Sequence, residues 1–141
     1  MNTSEEPQQV AAAVAKKWLS LVDSGDYAES WNQASSLLKT GFQSSSLFRA
    51  GVSEQQWQSS LAPLRSELGR AVSRILQSAR YAKELPGEPD GEFVTLEYAT
   101  SFESKHATET VVLVKESDDR WRVSGYRVML GVSIIRTFAP A

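Results

Sequence analysis

Cysteine is missing from all 141 residues, which excludes disulfides, thiolate metal sites and cysteine nucleophiles. Histidine is almost missing as well. His106 stands alone, leaving no room for a multi-histidine metal site or paired-histidine chemistry. Neither sign of charge dominates: 15 basic residues face 17 acidic ones, a formal net charge of -2. No general affinity for nucleic acid or other polyanions follows from that balance. No apolar run approaches the roughly 20 residues a membrane helix needs. The start, MNTSEEPQQ, has neither a basic n-region nor an apolar h-region. The expectation is a chain made without an export signal or trimmed of one.

What is present is enough for a core. Apolar residues make up 41% of the chain, with 4 Trp, 5 Phe and 4 Tyr. That composition argues against wholesale disorder, and the length suits one domain.

The first half reads as helices. Thr3 and Glu6 form a capping pattern, and Val10, Val14, Trp18, Leu21 and Val22 follow at helical spacing up to Asp23-Ser24-Gly25. Asp26 and Glu29 repeat the pattern ahead of a stripe of Tyr27, Trp31, Ala34 and Leu38. Residues 40–51 read as a loop anchored by Phe42, Leu47 and Phe48. Ser53 and Gln56 open a further helix carrying Trp57, Leu61, Leu64 and Leu68, with Gly69 as its stop. Pro63 is expected to kink or divide it.

After Gly69 the period becomes two. Residues 70–81 are strand-like but mixed in polarity. Val94, Leu96, Tyr98 and Phe102 alternate with their neighbours as a half-buried strand should. The run Thr110 to Val114 does not alternate, which predicts a central strand covered on both faces. Trp121 and Val123 share one parity while Tyr126, Val128 and Leu130 share the other, so a β-bulge is predicted at Gly125. The tail holds Val132, Ile134, Ile135 and Phe138, too apolar to be left in solvent. The reading is a single α+β domain over 1–141. A helical part spans about 5–69, an antiparallel sheet of about four strands spans about 70–130, and an apolar tail spans 131–141. Helices cover one sheet face. The tail or a second copy covers the other, giving a homodimer through the sheet face or the tail.

Few residues carry a chemical signal. The loop LPGEPDGEF (Leu85 to Phe93) lacks what a phosphate cradle requires: Pro86 and Pro89 delete N–H donors, and a strand follows in place of a helix. It reads as a hairpin hinge anchored by Leu85. His106, in ESKHATE, reads as an exposed histidine between strands. Glu97 and Glu109 could form an acid–base couple across a strand pair, or Glu109 could bind an arginine. Asp118-Asp119 reads as a turn and not a metal site. Arg70, Arg74 and Arg80 share strand parity, and with Arg65 and Lys83 they predict a basic stripe on one sheet face. Tyr27, Trp31, Trp57, Tyr98 and Trp121 form an aromatic set, of which Tyr27, Trp31, Trp57 and Tyr98, with Arg74, could line a pocket for a small ligand. No catalytic residue, metal site or cofactor is assigned.

The segments YAESWNQAS (27–35), LRSELG (64–69), LPGEPDGEF and WRVSGY (121–126), together with Arg74, Tyr98, Phe102 and Glu109, occur in an order that resembles a bacterial domain-of-unknown-function family, number 4019 in that series. The likeness spans about 10–128. It implies a periplasmic or secreted setting, because such proteins commonly begin with an export signal, and it implies no reaction. The helix-then-sheet order is also similar to nuclear-transport-factor-like and cystatin-like folds. Two functional expectations follow. One is a non-enzymatic envelope module that binds a small ligand or a protein partner, or that only assembles with itself. The other is an isomerase or dehydratase using Glu97 or Glu109 with Tyr98 or Tyr126.

Overall fold

The computed structural model describes residues 6–40, 51–86 and 90–130. The capping residue Thr3, the loop anchors Phe42, Leu47 and Phe48, and the apolar tail residues lie outside them. Four helices come first: α1 (Glu6–Asp23), α2 (Tyr27–Asn32), α3 (Ser36–Thr40) and α4 (Glu54–Leu68). Four strands follow: β1 (Ala71–Ala82), β2 (Phe93–Phe102), β3 (His106–Lys115) and β4 (Trp121–Leu130). The strands form one antiparallel sheet in the order β1-β2-β3-β4. This is the expected α+β architecture.

Helix α1 turns its small side chains to the sheet. Ala11, Ala15, Trp18, Leu19 and Val22 are buried, whereas Val10 is exposed and Val14 and Leu21 are half-buried. The buried stripe is therefore rotated from the one expected from the valines, because alanine permits closer approach of helix and sheet. Helix α1 ends in a Schellman motif: Asp26 N–H donates to Leu21 O at 2.8 Å and Gly25 N–H to Val22 O at 3.0 Å. Gly25 takes φ +84°, which a side chain would resist.

The second predicted helix is two. Ala34 and Leu38 are buried as expected, but the Ser35 N–H leaves the helix ladder to bond Val123 O of β4 at 2.8 Å. A tertiary hydrogen bond therefore breaks the pattern that the local sequence supports. Helix α4 begins with a complete Ser53/Gln56 capping box and runs unbroken through Pro63. The expected division does not occur. Pro63 is exposed, so its ring and missing donor fall on the solvent side.

Gly69 closes α4 at φ +83°. A methyl there would sit 2.7 Å from Glu103 Oε1 and 2.9 Å from Glu103 Cβ. Glu103 cannot simply retreat, because its backbone N–H bonds Arg70 O at 2.9 Å and its carboxylate accepts the Arg70 N–H at 2.8 Å. Gly69→Ala is expected to destabilise the fold by about 1–3 kcal/mol, through positive φ and the collision together. Urea denaturation checks it, and a loss under about 0.5 kcal/mol would be the ordinary result of a neutral surface change.

Burial does not alternate strictly along the sheet, since Thr110 and Val114, on the face turned away from the helices, are only 6% and 7% exposed. Val94, Leu96, Tyr98 and Thr100 of β2, and Glu109, Val111 and Leu113 of β3, are buried beneath the helices. The predicted slip in β4 is present. Leu113 pairs with Val123 but Val112 with Gly125, so Ser124 is the extra residue and Tyr126 rejoins the helix-side face opposite Val111. Strand β3 is interior and most of Thr110–Val114 is buried, but Val112 is only half-buried.

Candidate functional site

The predicted basic stripe is absent. Strand β1 carries two register shifts, at Ala71/Ser73 and Leu76/Ser78, and each resets the parity. Arg70 precedes the strand and pairs with Glu103. Arg80 lies opposite Thr95 on the sheet's open face. Arg74 lies opposite Thr100 and turns in beneath the helices.

There Arg74 meets Glu109, a fully buried carboxylate on β3. Arg74 Nε donates to Glu109 Oε1 at 2.7 Å and Nη2 to Oε2 at 3.2 Å. The Thr100 hydroxyl donates to Oε1 at 2.6 Å, and the Tyr126 hydroxyl donates to Oε2. The outer side of the same guanidinium grips Asp23: Nη1 to Oδ2 at 2.9 Å and Nη2 to Oδ1 at 3.0 Å. Arg65 of α4 reaches the same Asp23, Nη2 to Oδ1 at 3.0 Å. Two arginines and two carboxylates thus form one neutral cluster joining α1, α4, β1 and β3.

Each member is placed by local structure. The Schellman turn holds Asp23 at the last position of α1, where the helix dipole disfavours an anion; the two arginines compensate. Arg65 stands four residues after Leu61 and three before Leu68, on the buried stripe of α4. Its guanidinium lies 4.8 Å from the centre of the Phe102 ring. Its Nε and Nη1 have no hydrogen-bond partner among the described residues.

The proton affinities follow the geometry. Burial works against the Asp23 carboxylate, but the hydrogen bonds and charges of Arg74 and Arg65 outweigh it and hold its pKa below the usual 3.8. Burial first, then the charge of Glu109, raises the pKa of the Tyr126 phenol far above its usual 10.0. Tyr98 is raised by burial too, with Arg74 and Glu109 pulling in opposite directions. A carboxylate with a lowered folded pKa contributes stability above its unfolded value and loses it as pH falls. A phenol with a raised one loses stability as pH rises past its unfolded value. The melting temperature is expected to fall below about pH 4 and again above about pH 10. Asp23→Asn should flatten the acid limb and Tyr126→Phe the alkaline limb. Limbs unchanged in both variants would remove the cluster from the account of pH stability.

Of the five residues proposed from sequence as ligand contacts, Arg74 lies in this cluster and Tyr98 lies opposite Glu109 in the register. The others belong to the helical layer. Trp57 is buried, donates to Ser30 Oγ at 2.9 Å and packs 6.0 Å from Trp18. Trp31 is half-buried, donates to Val52 O at 2.8 Å and carries Lys39 over its ring. Tyr27 is half-buried against the same core. Glu97 faces away, opposite Thr110 on the open face, so it forms no couple with Glu109. His106 is exposed beside Ser101, and Asp118 caps its own turn and binds Arg122. Among the described residues no cluster of acids and histidine could hold a metal, and no helix is long and apolar enough to cross a membrane.

Asp23 and Arg65 were not singled out as partners from sequence. The available signal was an arginine on the apolar stripe of α4. Such a residue is buried only with a partner.

The family described as Protein of unknown function (DUF4019) matches residues 14–126. The chain belongs to this family. The matched span contains every member of the cluster, from Asp23 to Tyr126. Neither a curated protein nor a solved structure matches the chain.

Proposed function

We propose that this member of the family is a non-enzymatic module that binds a protein partner through the open face of its sheet. The observation that carries this is a cross-strand row on that face. Ile75 pairs with Ala99, Ala99 with Thr108 and Thr108 with Met129, so four side chains line up across all four strands. Ile75 is 60% exposed and Met129 44% exposed. Exposed Ile75, Ala99 and Met129 on three strands, with half-buried Thr108 on the fourth, mark a surface for contact. The buried cluster supports the non-enzymatic half of the reading. The two oxygens of Glu109 accept four hydrogen bonds, and a general base needs a free lone pair and a path to substrate.

The test is a photo-crosslinking residue at Thr108, compared with one at exposed Ser66 on α4, in living cells. Adducts specific to position 108 support the reading. Equal yields at both positions, or none at 108, contradict it.

A small-ligand reading has one observation of its own. A cavity of about 400 Å³ opens between α3 and the two hairpin turns, with Leu37, Phe93 and Val114 beside Asp90, Lys115 and Arg122. None of Tyr27, Trp31, Trp57, Arg74 and Tyr98 lines it. Native mass spectrometry of untreated protein decides between the readings, since a reproducible small adduct would favour the ligand. We further propose a periplasmic or secreted location, on the strength of the family resemblance. Fractionation of expressing cells tests it.

A further inference from the structure

Resting on the sheet-face reading, we infer that the partner is a second copy of this chain, packed face to face about a two-fold axis that runs along β3. The argument begins with the row next to the apolar one. Ser78, Glu97, Thr110 and Arg127 are successive partners across the four strands. Glu97 is half-buried, Arg127 is exposed, and neither forms an ion pair among the described residues. They stand on β2 and β4, one strand to either side of β3. A two-fold axis lying over β3 and parallel to it exchanges those two strands. Glu97 then faces the partner's Arg127, and Arg127 faces the partner's Glu97.

The same operation treats the apolar row consistently. Ala99 meets the partner's Met129 and Met129 meets the partner's Ala99, while Thr108 meets its own counterpart above the buried Thr110 row. Ile75 on β1 lies against the outer flank of the partner's Met129. A two-fold contact must be self-complementary in this way, because each patch meets itself. Aligned sheets pack about 10 Å apart. The centre of this face is built from small residues, exposed Ala99, half-buried Thr108 and Thr110, which is already buried within the chain, with the two long charged side chains at either side. A foreign partner would have to present an acid and a base at this same spacing. The face itself already presents them.

The arrangement makes an unusual prediction for charge reversal. Glu97→Arg alone places two arginines opposite each other at both contacts, and Arg127→Glu alone places two glutamates there. Each single variant should dimerise at least roughly tenfold more weakly than the native chain. An equimolar mixture should recover a heterodimer within about threefold of native affinity, because both contacts become Arg–Glu again, and the double variant should recover as a homodimer. Sedimentation velocity over a concentration series, with circular dichroism to confirm folding, reads all four. Arg127 is exposed and Glu97 is half-buried at the rim of the same face, so loss of fold is not the expected failure.

Recovery in the mixture establishes the inference, since an ion pair within one chain could not be rescued by a second protein. A native chain that stays monomeric at its highest soluble concentration overturns it, as does a mixture that stays dissociated. A specific adduct at position 108 to some other protein would then preserve the sheet-face reading while the second-copy inference fell.

Discussion

Glu109→Ala is expected to destabilise the domain by about 3–5 kcal/mol. The magnitude comes from what remains behind and not from the carboxylate alone. Arg74 would keep its Asp23 contacts but lose both bonds on the buried side of its guanidinium. Thr100 and Tyr126 would lose the one acceptor that their hydroxyls have among the described residues. An uncompensated cation and two stranded donors beneath the helices account for the loss, which is a large part of the roughly 5–15 kcal/mol that holds a domain together. Urea denaturation should show a lower midpoint. A cost under about 1 kcal/mol would mean that the cluster is loosely hydrated and contributes little. A companion variant separates stability from purpose. Glu109→Leu with Arg74→Met removes the charged pair at similar volume and leaves no unpaired Arg74 cation, so it should cost less than Glu109→Ala, although Thr100 and Tyr126 still lose their acceptor. If that variant folds well and still crosslinks at position 108, the cluster serves the fold alone.

Trp18→Ala is expected to cost about 3–5 kcal/mol, by cavity formation and a lost hydrogen bond together. Trp18 is nearly fully buried, 6.0 Å from the Trp57 ring and 5.4 Å from the Tyr126 ring. Its indole N–H donates to Ser30 O at 2.8 Å, and Ser30 Oγ in turn accepts from Trp57. Removing the ring would leave that carbonyl unpaired and open the contact between α1, α2 and β4. Trp18→Phe keeps most of the bulk and should cost less than half as much. Tyr126 touches both Trp18 and Glu109, so the losses in Trp18→Ala and Glu109→Ala should not add. Strict additivity would show that the aromatic core and the ion cluster are independent.

The sequence was most legible where one residue decides the backbone. The Ser53/Gln56 box, the stop at Gly69 and the parity slip at Gly125 each depend on local chemistry, and each is present. It was less legible where distant groups compete. Ser35 leaves its helix for a carbonyl 88 residues away, on Val123. Hydrophobicity alone places the stripe of α1 on its valines, whereas closeness to the sheet favours Ala11 and Ala15. The arginine stripe failed for a definite reason. Two bulges in β1 reset its parity, and a strand of mixed polarity gives no phase from which to detect them. The ion cluster needs four elements to converge, and its pairs are separated by 35 to 51 residues in sequence. Two signs of it were legible: Glu109 as a candidate partner of an arginine, which Arg74 fulfils, and an arginine on the apolar face of α4.

The most direct measurement is a methyl NMR spectrum of Ile, Leu, Val and Met groups recorded over a wide range of protein concentration. The account predicts that Ile75 and Met129 shift as concentration rises, while Val111 and Leu113, buried on the opposite face, stay fixed. Shifts confined to the groups beside the α3 cavity, or spread evenly through the core, would contradict it.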